Sequence, residues 1–290
     1  QTNRSLTHSQ LASEVVKHMG LLQSSYAIQP AEFGPGKKRN EKTFQDLIEY
    51  RLYEDLRRGW RIVQPNLEQC GLLAIEYDGL EEICQETQIW QQSPHPLLLE
   101  ATPAQRLFVA KALLDQLRKE LAIDAALLQS DRLEQLKREV TQAIKEPWAF
   151  DINERLHEAT WTSSASSSSD RVKVKLTSRS KIGRFLRSPA TWSGLQQPLS
   201  ESEYNQLIGA LIEILGASGY LKIEGQFVQL RIDCMIWQAQ SADTILADPL
   251  TSKRLQGSED VQIEVNRFFQ NFYQDNAQQL HSLEGREHTG

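Results

Sequence analysis

SESEYNQLIGALIEILGASGYLKIEGQFVQLRIDCMIW, residues 200–237, contains the strongest folding signals in this 290-residue chain. Ser200 and Glu203 have the spacing of a capping box, in which two side chains satisfy free amide groups at a helix start. The following residues place apolar side chains on one helical face, and Gly216 and Gly219 end the predicted helix. That face consists of Tyr204, Leu207, Ile208, Leu211, Ile212 and Leu215.

A β-hairpin is predicted directly after this helix. Residues 220–223 and 227–237 are its predicted strands, with Gly225 in the turn between them. Within the second strand, Val228, Leu230 and Ile232 alternate with Gln229, Arg231 and Asp233, as in a half-buried strand. Residues 181–187 predict a short basic helix before the long one. Two helices followed by a two-stranded wing is the order of a winged helix, although the same order occurs in domains that bind only protein.

The first half of the chain predicts a helical bundle with minor strand content. Thr7 and Gln10 form another capping box, and Gly20 ends that helix. Gly, Pro and basic residues over 29–40 predict an exposed loop. Further helices are expected over residues 41–58, after the apolar stretch 71–77, from the Thr102-Pro103 start, and over 133–144, with a short strand at 60–63.

Six serines and one alanine occupy residues 163–169, and such a run has too little apolar surface to order itself. We therefore predict a flexible linker and a domain boundary there. The expected fold is mainly α. Its parts are an N-terminal helix and loop (1–40), a helical domain (41–162), the serine-rich linker (163–170), a winged-helix-like α+β domain (171–250) and a long-helix segment (251–290), with the helix over 259–283.

Composition is typical of a cytoplasmic globular protein. Hydrophobic residues make up 40 % and charged residues 24 %, which suffices for one large core or two smaller ones, and no apolar run could span a membrane. Cys70, Cys84 and Cys234 form no Cys-x-x-Cys pair, so neither a disulfide framework nor a structural zinc site is expected. No signal peptide is visible at the N-terminus. Because the sequence starts without Met and ends at Glu287-His288-Thr289-Gly290, both ends are expected to be cut from a longer chain.

Two clusters contain residue types that could bind metal. The first consists of Asp151, Glu154, His157 and Glu158, and the second of His281, Glu284, Glu287 and His288. A di-iron bundle needs the Glu-x-x-His arrangement twice, and the first cluster has it once, so we interpret it as a solvated helix face. The second has no partner cluster, and residues 34–37 lack the full spacing of a phosphate-binding loop. Catalytic, cofactor-binding and metal-binding residues are therefore expected to be absent.

The charge distribution is the strongest functional signal. The net charge is −6, yet residues 171–200 contain seven basic residues and no acidic one, so the other 260 residues carry −13. Phosphate contact needs several cations on one surface and no particular base sequence. The predicted nucleic-acid-binding residues are Lys173, Lys175, Arg179, Lys181, Arg184 and Arg187. The alternative is that this stretch is a solubilising edge of the serine linker.

Several blocks of the sequence resemble a known family. YRLYEDLRRGWR (residues 50–61) and QPNLEQCGLL (residues 64–73) are similar to blocks in very large bacterial DEAD/DEAH-box helicases of superfamily 2. Those proteins often carry a C-terminal DUF1998-type region, and several are encoded among phage-defence genes. The Pro147-Trp148 pair and RSKIGRFLR (residues 179–187) are similar to further blocks. LEGREHTG (residues 283–290) resembles the sequence that re-enters the second motor domain.

The resemblance covers most of the chain and implies an insertion within the second motor domain of such a helicase. It implies ATP and Mg²⁺ for the parent protein, whose ATP-binding loop, acidic box and arginine finger do not occur in these residues. The implied role is to brace a duplex or contact a strand. The implied partners are DNA, as a single strand or fork junction, the remaining motor domains and defence-complex proteins, with no membrane. The alternative function is a protein-interaction module without nucleic-acid contact.

We expect the purified chain not to hydrolyse ATP, because no phosphate cradle or magnesium site is encoded in it. Phosphate release would be measured with and without single-stranded DNA at each purification step. DNA-stimulated hydrolysis that co-elutes with the chain through successive columns would contradict this expectation.

Overall fold

The computed structural model describes residues 5–57, 65–92, 95–164, 172–250 and 262–276. The α-helices and the 3-10 helices together contain 51 % of these residues, and the strands form several small sheets. The fold is therefore mixed α and β, with more strand pairing than a mainly α fold would have. Within these ranges, no helix combines the length and apolar character needed to cross a bilayer.

The described residues contain eleven α-helices. They are α1 His8–Met19, α2 Gln23–Tyr26, α3 Gly34–Leu56, α4 Leu80–Gln85, α5 Thr87–Trp90, α6 Pro96–Glu100, α7 Pro103–Lys119, α8 Ser130–Ala143, α9 Lys181–Leu186, α10 Glu201–Ala217 and α11 Arg267–Asn276. Short 3-10 helices lie at Ala126–Leu128 and Ile232–Cys234. Capping boxes at Thr7, Thr102 and Ser200 precede α1, α7 and α10, which confirms these three predicted starts.

The strands belong to three groups. They are β1 Ser5–Thr7, β2 Leu73–Tyr77, β3 Ile123–Asp124, β4 Trp161–Ser163, β5 Val172–Lys175, β6 Leu221–Glu224, β7 Phe227–Arg231, β8 Met235–Ala239, β9 Thr244–Leu246 and β10 Gln262–Glu264. β8 lies antiparallel between β1 and β2. β7 pairs with β6 on one side and with β3 and β4 on the other, and β4 also pairs with β5. β9 and β10 form an antiparallel pair.

The loop predicted over residues 29–40 ends earlier than expected, so the boundary at residue 40 falls inside α3. Pro35 fits the first turn of α3 because it has no amide hydrogen to leave unpaired. Asn40 is only 3 % exposed, and its side chain donates to the Gln29 carbonyl over 3.0 Å. The strand predicted at 60–63 lies outside the described residues.

The serine run begins inside a sheet, so its predicted start as a linker is wrong. Ser163 is fully buried in β4, where it pairs with Phe227 of β7. β5, on the far side of the run, pairs with β4 in the same sheet. Strand pairing supplies backbone hydrogen bonds that composition does not reveal. The predicted boundary thus lies between two neighbouring strands, and residues 165–171 lie outside the described residues.

The hairpin after α10 is confirmed, but its second strand is shorter than predicted. Gly225 adopts a φ of 62° in the turn between β6 and β7, a conformation that favours glycine. The strand predicted over residues 227–237 is interrupted by the 3-10 helix after β7. This interruption redirects the chain, so that β8 joins the sheet that contains β1 and β2.

The long helix predicted over residues 259–283 is wrong in its first part. Residues 262–264 form β10 instead, and the β-branched Ile263 lies opposite Ile245 of β9. Asn266 then caps α11, because its side-chain oxygen accepts hydrogen bonds from the amides of Phe268 (3.1 Å) and Phe269 (3.3 Å). Residues 251–261 and 277–290 lie outside the described residues.

Most of the buried apolar side chains in the described residues form one continuous cluster. It contains Phe44 and Leu113 from the first half of the chain and Leu211 and Leu230 from the second half. Separating the two halves would therefore expose apolar surface on both. This shared core places the predicted helical and winged-helix-like parts against each other.

A buried guanidinium joins α7 to the residues before β2. Arg118 is fully buried and donates to both carboxylate oxygens of Glu68 at 3.0 and 2.9 Å. Asp115 accepts from Arg118 at 3.0 Å and from the Tyr77 hydroxyl at 2.8 Å. Burial alone would raise the pKa of Asp115, but the neighbouring cations outweigh it and hold that pKa below its usual range. Removing one member would leave a buried charge uncompensated.

His8 is a buried histidine at the start of α1. It is 3 % exposed, its ring centroid lies 4.2 Å from that of Tyr53 and 5.5 Å from that of Trp237, and neither ring nitrogen has a hydrogen-bond partner. Its Nε2 lies 3.9 Å from a carboxylate oxygen of Glu49. Burial lowers the pKa of His8 from 6.5 to about 4. The folded protein therefore holds this side chain neutral in a site that disfavours charge.

We expect His8→Phe to flatten the dependence of stability on pH between about 6.5 and 4. In that window the unfolded chain binds a proton at His8 and the folded protein does not, so the free energy of unfolding falls as the pH falls. The change in slope should reach about 1.4 kcal/mol per pH unit. Urea unfolding at a series of pH values measures it, with exposed His18→Phe as the control. Equal slopes for wild type and His8→Phe would contradict the burial of a neutral His8.

Candidate nucleic-acid interface

The short basic helix α9 is fixed by a local cap and by its apolar face. Ser180 accepts a hydrogen bond from the Gly183 amide at 3.1 Å and donates one to the Thr177 carbonyl at 2.6 Å. Ile182, Phe185 and Leu186 are buried, whereas Lys181 and Arg184 are exposed. The helix therefore turns its cations to solvent because its apolar residues enter the core.

Glycine is required within α9. A β-carbon at Gly183 would lie 2.0 Å from the carbonyl oxygen of Thr177, so no larger residue fits without moving the backbone. The hydroxyl of Tyr204 in α10 donates to the Leu176 carbonyl at 2.8 Å and holds the same loop from the other side. The loop that carries Arg179 is thus packed between α9 and α10.

The chain after α9 is tied back to it. Trp192 is 3 % exposed and donates from its indole nitrogen to the Leu186 carbonyl at 2.7 Å. Thr191 donates to the Phe185 carbonyl at 2.6 Å. Trp192 lies beside the cations in the sequence, but it is a structural residue and offers no surface for base stacking.

The predicted nucleic-acid-binding residues fall into different environments. Arg179, Lys181 and Arg184 are exposed and, within the described part of the chain, have no carboxylate partner; they are named here the α9 basic surface. Lys175 is exposed at the end of β5. Arg187, the remaining predicted residue whose side chain is described, is half-buried. Lys173 lies in β5, and its side chain is outside the described part of the structure.

Arg187 holds a loop together. Its Nε donates to the Leu199 carbonyl at 2.6 Å, its Nη1 lies 3.5 Å from the Ser178 carbonyl, and its own carbonyl accepts from the Leu199 amide at 3.1 Å. The side chain is half-buried. We assign Arg187 to the support of the α9 basic surface, because its donors are used within the protein.

Other exposed faces of this part of the fold are acidic or neutralised. α10 exposes Glu201 and Glu203 and contains no Lys or Arg. In the hairpin, Lys222 pairs with Asp124 at 3.0 Å and Glu224 at 3.4 Å. A cleft of about 1080 Å³ is lined by these three groups and by Arg231, which pairs with Asp233 at 3.1 Å. Within this part of the described structure, positive charge without a carboxylate partner is therefore concentrated at α9.

The cluster predicted on a helix face between Asp151 and Glu158 is not helical. Glu154 forms an ion pair with Arg51, and His157 Nδ1 lies 2.9 Å from a buried Glu54 oxygen. These partners lie on α3 and hold the segment extended. No group of three potential ligands suited to a metal occurs in the described ranges, and the cluster from His281 to His288 lies outside them.

The cysteines provide no reactive thiol near the basic surface. None of the three forms a disulfide, and Cys70 and Cys84 are buried. Burial raises the pKa of Cys84 and of Cys234 to about 12, so both thiols stay protonated near neutral pH.

We expect Gly183→Ala to destabilise the protein by about 1–3 kcal/mol, because the added methyl group must displace the Thr177 carbonyl. Gly209→Ala in α10 is the matched control. A β-carbon there meets nothing within 4 Å, and alanine favours a helix by about 1 kcal/mol over glycine. Urea unfolding compares the two variants. Equal stability of Gly183→Ala and wild type would contradict the close packing of α9.

Comparison with known proteins adds no assignment to this geometry. No family model, curated protein or solved structure matches the chain. The function proposed for this chain therefore rests on the exposure, pairing and charge of the residues described above.

Proposed function

We propose that this chain is an accessory region of an ATP-dependent superfamily 2 DNA helicase, and that its α9 basic surface contacts nucleic-acid phosphates. The observation that carries the proposal is the exposure of Arg179, Lys181 and Arg184 without a carboxylate partner in the described residues. Cations that no neighbour neutralises keep their attraction for phosphate. Because the rest of the chain is acidic, this surface would orient the protein on a polyanion.

The finer fold in this proposal is a winged helix. α9 and α10 form the helix pair, β6 and β7 form the wing, and α7, which contacts both α9 and β7, is the supporting helix. The second helix of such a pair commonly enters the major groove. α10 exposes glutamates and has no cation, which disfavours that position. Contact through α9 supports bracing of the phosphate backbone without reading of bases.

The place of the chain in a larger cytoplasmic protein is part of the same proposal. It follows from the resemblance of residues 50–73 and 179–187 to blocks of the helicase family. In this account the parent's motor domains bind ATP and Mg²⁺ and step along one strand. The α9 basic surface then holds the fork junction or the emerging single strand beside them.

A second candidate function is a protein-interaction module of a defence or repair complex. It is favoured by the orientation of α11. Gln270 is buried and donates to the carbonyls of Cys70 and Ala242, both at 2.9 Å, whereas Phe268 is 71 % and Phe272 41 % exposed. A helix that turns an amide inward and two phenylalanines outward presents apolar surface to a partner.

We expect the triple variant Arg179→Glu, Lys181→Glu, Arg184→Glu to lose most nucleic-acid binding while remaining folded, because all three side chains are exposed. Each lost phosphate contact should flatten the plot of log affinity against log salt by about one unit. Fluorescence anisotropy with a forked duplex over a salt series measures this, and circular dichroism reports on the fold.

The matched control is the triple variant Arg138→Glu, Arg155→Glu, Arg267→Glu, which reverses three exposed cations elsewhere and lowers the net charge equally. Its binding should fall much less. If the two triple variants bind equally, the effect is one of net charge and the α9 basic surface is not a contact site. If the α9 variant binds as wild type does, the interaction-module function is favoured.

A further inference from the structure

Phe33 is exposed on a well-defined loop. Its side chain is 83 % exposed, more than that of any other described phenylalanine, and Leu22 and Ile28 nearby in the sequence are 74 % and 49 % exposed. Burying such a side chain stabilises a fold, and these side chains do not contribute that stabilisation. An apolar group left in solvent by an ordered loop indicates a contact surface.

Hydrogen bonds fix the loop in this form. Gln23 accepts from the Ala31 amide at 3.1 Å and from the Asn40 side chain at 3.2 Å, and it donates to the Lys37 carbonyl at 2.9 Å. Asn40 is buried. The loop is therefore held against the first turns of α3, and Phe33 projects from it without local unfolding.

Cations follow Phe33 within the first turns of α3. Lys37, Lys38 and Arg39 are exposed, and residues 33–40 contain no carboxylate. Lys37 lies 3.9 Å from Glu41, a surface pair that is weak in water. Within the described ranges Lys38 and Arg39 have no carboxylate partner. The exposed ring thus precedes Lys37 by four residues and the two unneutralised cations by five and six residues, which is about one to two turns along α3.

From this juxtaposition we infer that Phe33, Lys37, Lys38 and Arg39, the Phe33 surface, bind single-stranded nucleic acid. A base stacks on the phenylalanine ring while the cations contact neighbouring phosphates, which is the combination that single-strand-binding proteins use. A duplex offers few unstacked bases, so the surface discriminates in favour of single strands. The inference rests on the proposed function for its partner, but it uses none of the residues of the α9 basic surface.

An anionic lipid surface would also attract cations beside apolar side chains. Glu32, which directly precedes Phe33, is exposed. Insertion of the ring into a bilayer would carry this carboxylate towards the anionic headgroups, where repulsion and loss of hydration oppose it. Stacking on a base leaves Glu32 in water, so a nucleic-acid strand is the favoured partner.

The test uses the full chain with a fluorescein-labelled oligothymidylate, a duplex of the same length and vesicles that contain phosphatidylserine. Phe33→Ala and Phe33→Leu should both weaken binding of the single strand by about 5- to 10-fold, because both lose the aromatic ring. Duplex binding should stay unchanged. Lys38→Glu with Arg39→Glu should flatten the salt dependence by about two units. Ile152→Ala, an apolar side chain 86 % exposed elsewhere, should leave all binding unchanged.

The outcomes separate this inference from the proposed function. If Phe33→Ala binds the single strand as wild type does while the α9 triple variant does not, the Phe33 surface is refuted and the proposed function stands. The reverse result supports the Phe33 surface and refutes the α9 contact. Wild-type binding by Phe33→Leu alone refutes base stacking. Loss of vesicle binding with unchanged oligonucleotide binding identifies a lipid surface, and absence of any oligonucleotide binding overturns both proposals.

Discussion

β8 pairs through its backbone with both β1 and β2, and this pairing joins the second half of the chain to the first. β1 comes from the N-terminus, β2 from the first half and β8 from the second half of the chain. Only a 3-10 helix separates β8 from β7, so the sheet that contains β4, β5 and β7 is fixed to the first sheet. Two side-chain contacts strengthen this union: the Tyr220 hydroxyl donates to the Asp78 carbonyl at 2.6 Å, and Lys119 pairs with Asp248 at 2.9 Å.

This union gives the proposed contact surfaces a fixed support. Gly183 allows α9 to pack closely on its preceding loop, and Arg187 holds the following loop. The backbone that carries the exposed cations of α9 is therefore held in place on both sides. Gln23 and Asn40 do the same for Phe33. Side chains held in place in the free protein lose less conformational entropy when a strand binds. Because the net charge of the protein is −6, these exposed cations lower locally the repulsion that a phosphate would meet.

Local features of the fold could be predicted from the sequence. Ser200 with Glu203 and Thr7 with Gln10 specify helix starts through neighbours three residues away, and Gly225 specifies a turn that favours a positive φ. Such signals are contained in short windows. The same holds for the exposure of Lys181 and Arg184, because the apolar residues between and after them direct the opposite face of α9 inward.

Features that depend on distant partners could not be predicted in this way. Glu154 and His157 have helical spacing, yet their partners on α3, Arg51 and Glu54, lie 103 residues away and hold them in an extended segment. Ser163 lies in a serine run whose composition predicts a linker, but it pairs with Phe227 as part of a buried strand. The Phe33 surface was visible in part as a basic loop, but the sequence did not reveal that Gln23 and Asn40 hold the ring in solvent.

Cutting the chain between β4 and β5 shows whether both halves of the chain form one folded body. Residues 165–170 would be replaced by the recognition site of a sequence-specific protease, and the cleaved protein would be examined by size-exclusion chromatography and urea unfolding. We expect the two fragments to co-elute and to unfold in one transition, because sheet pairing and the shared core join them. The cleaved protein should also bind a forked duplex with the salt dependence of the uncut protein. Elution of two separate fragments, each folded by circular dichroism, would contradict it.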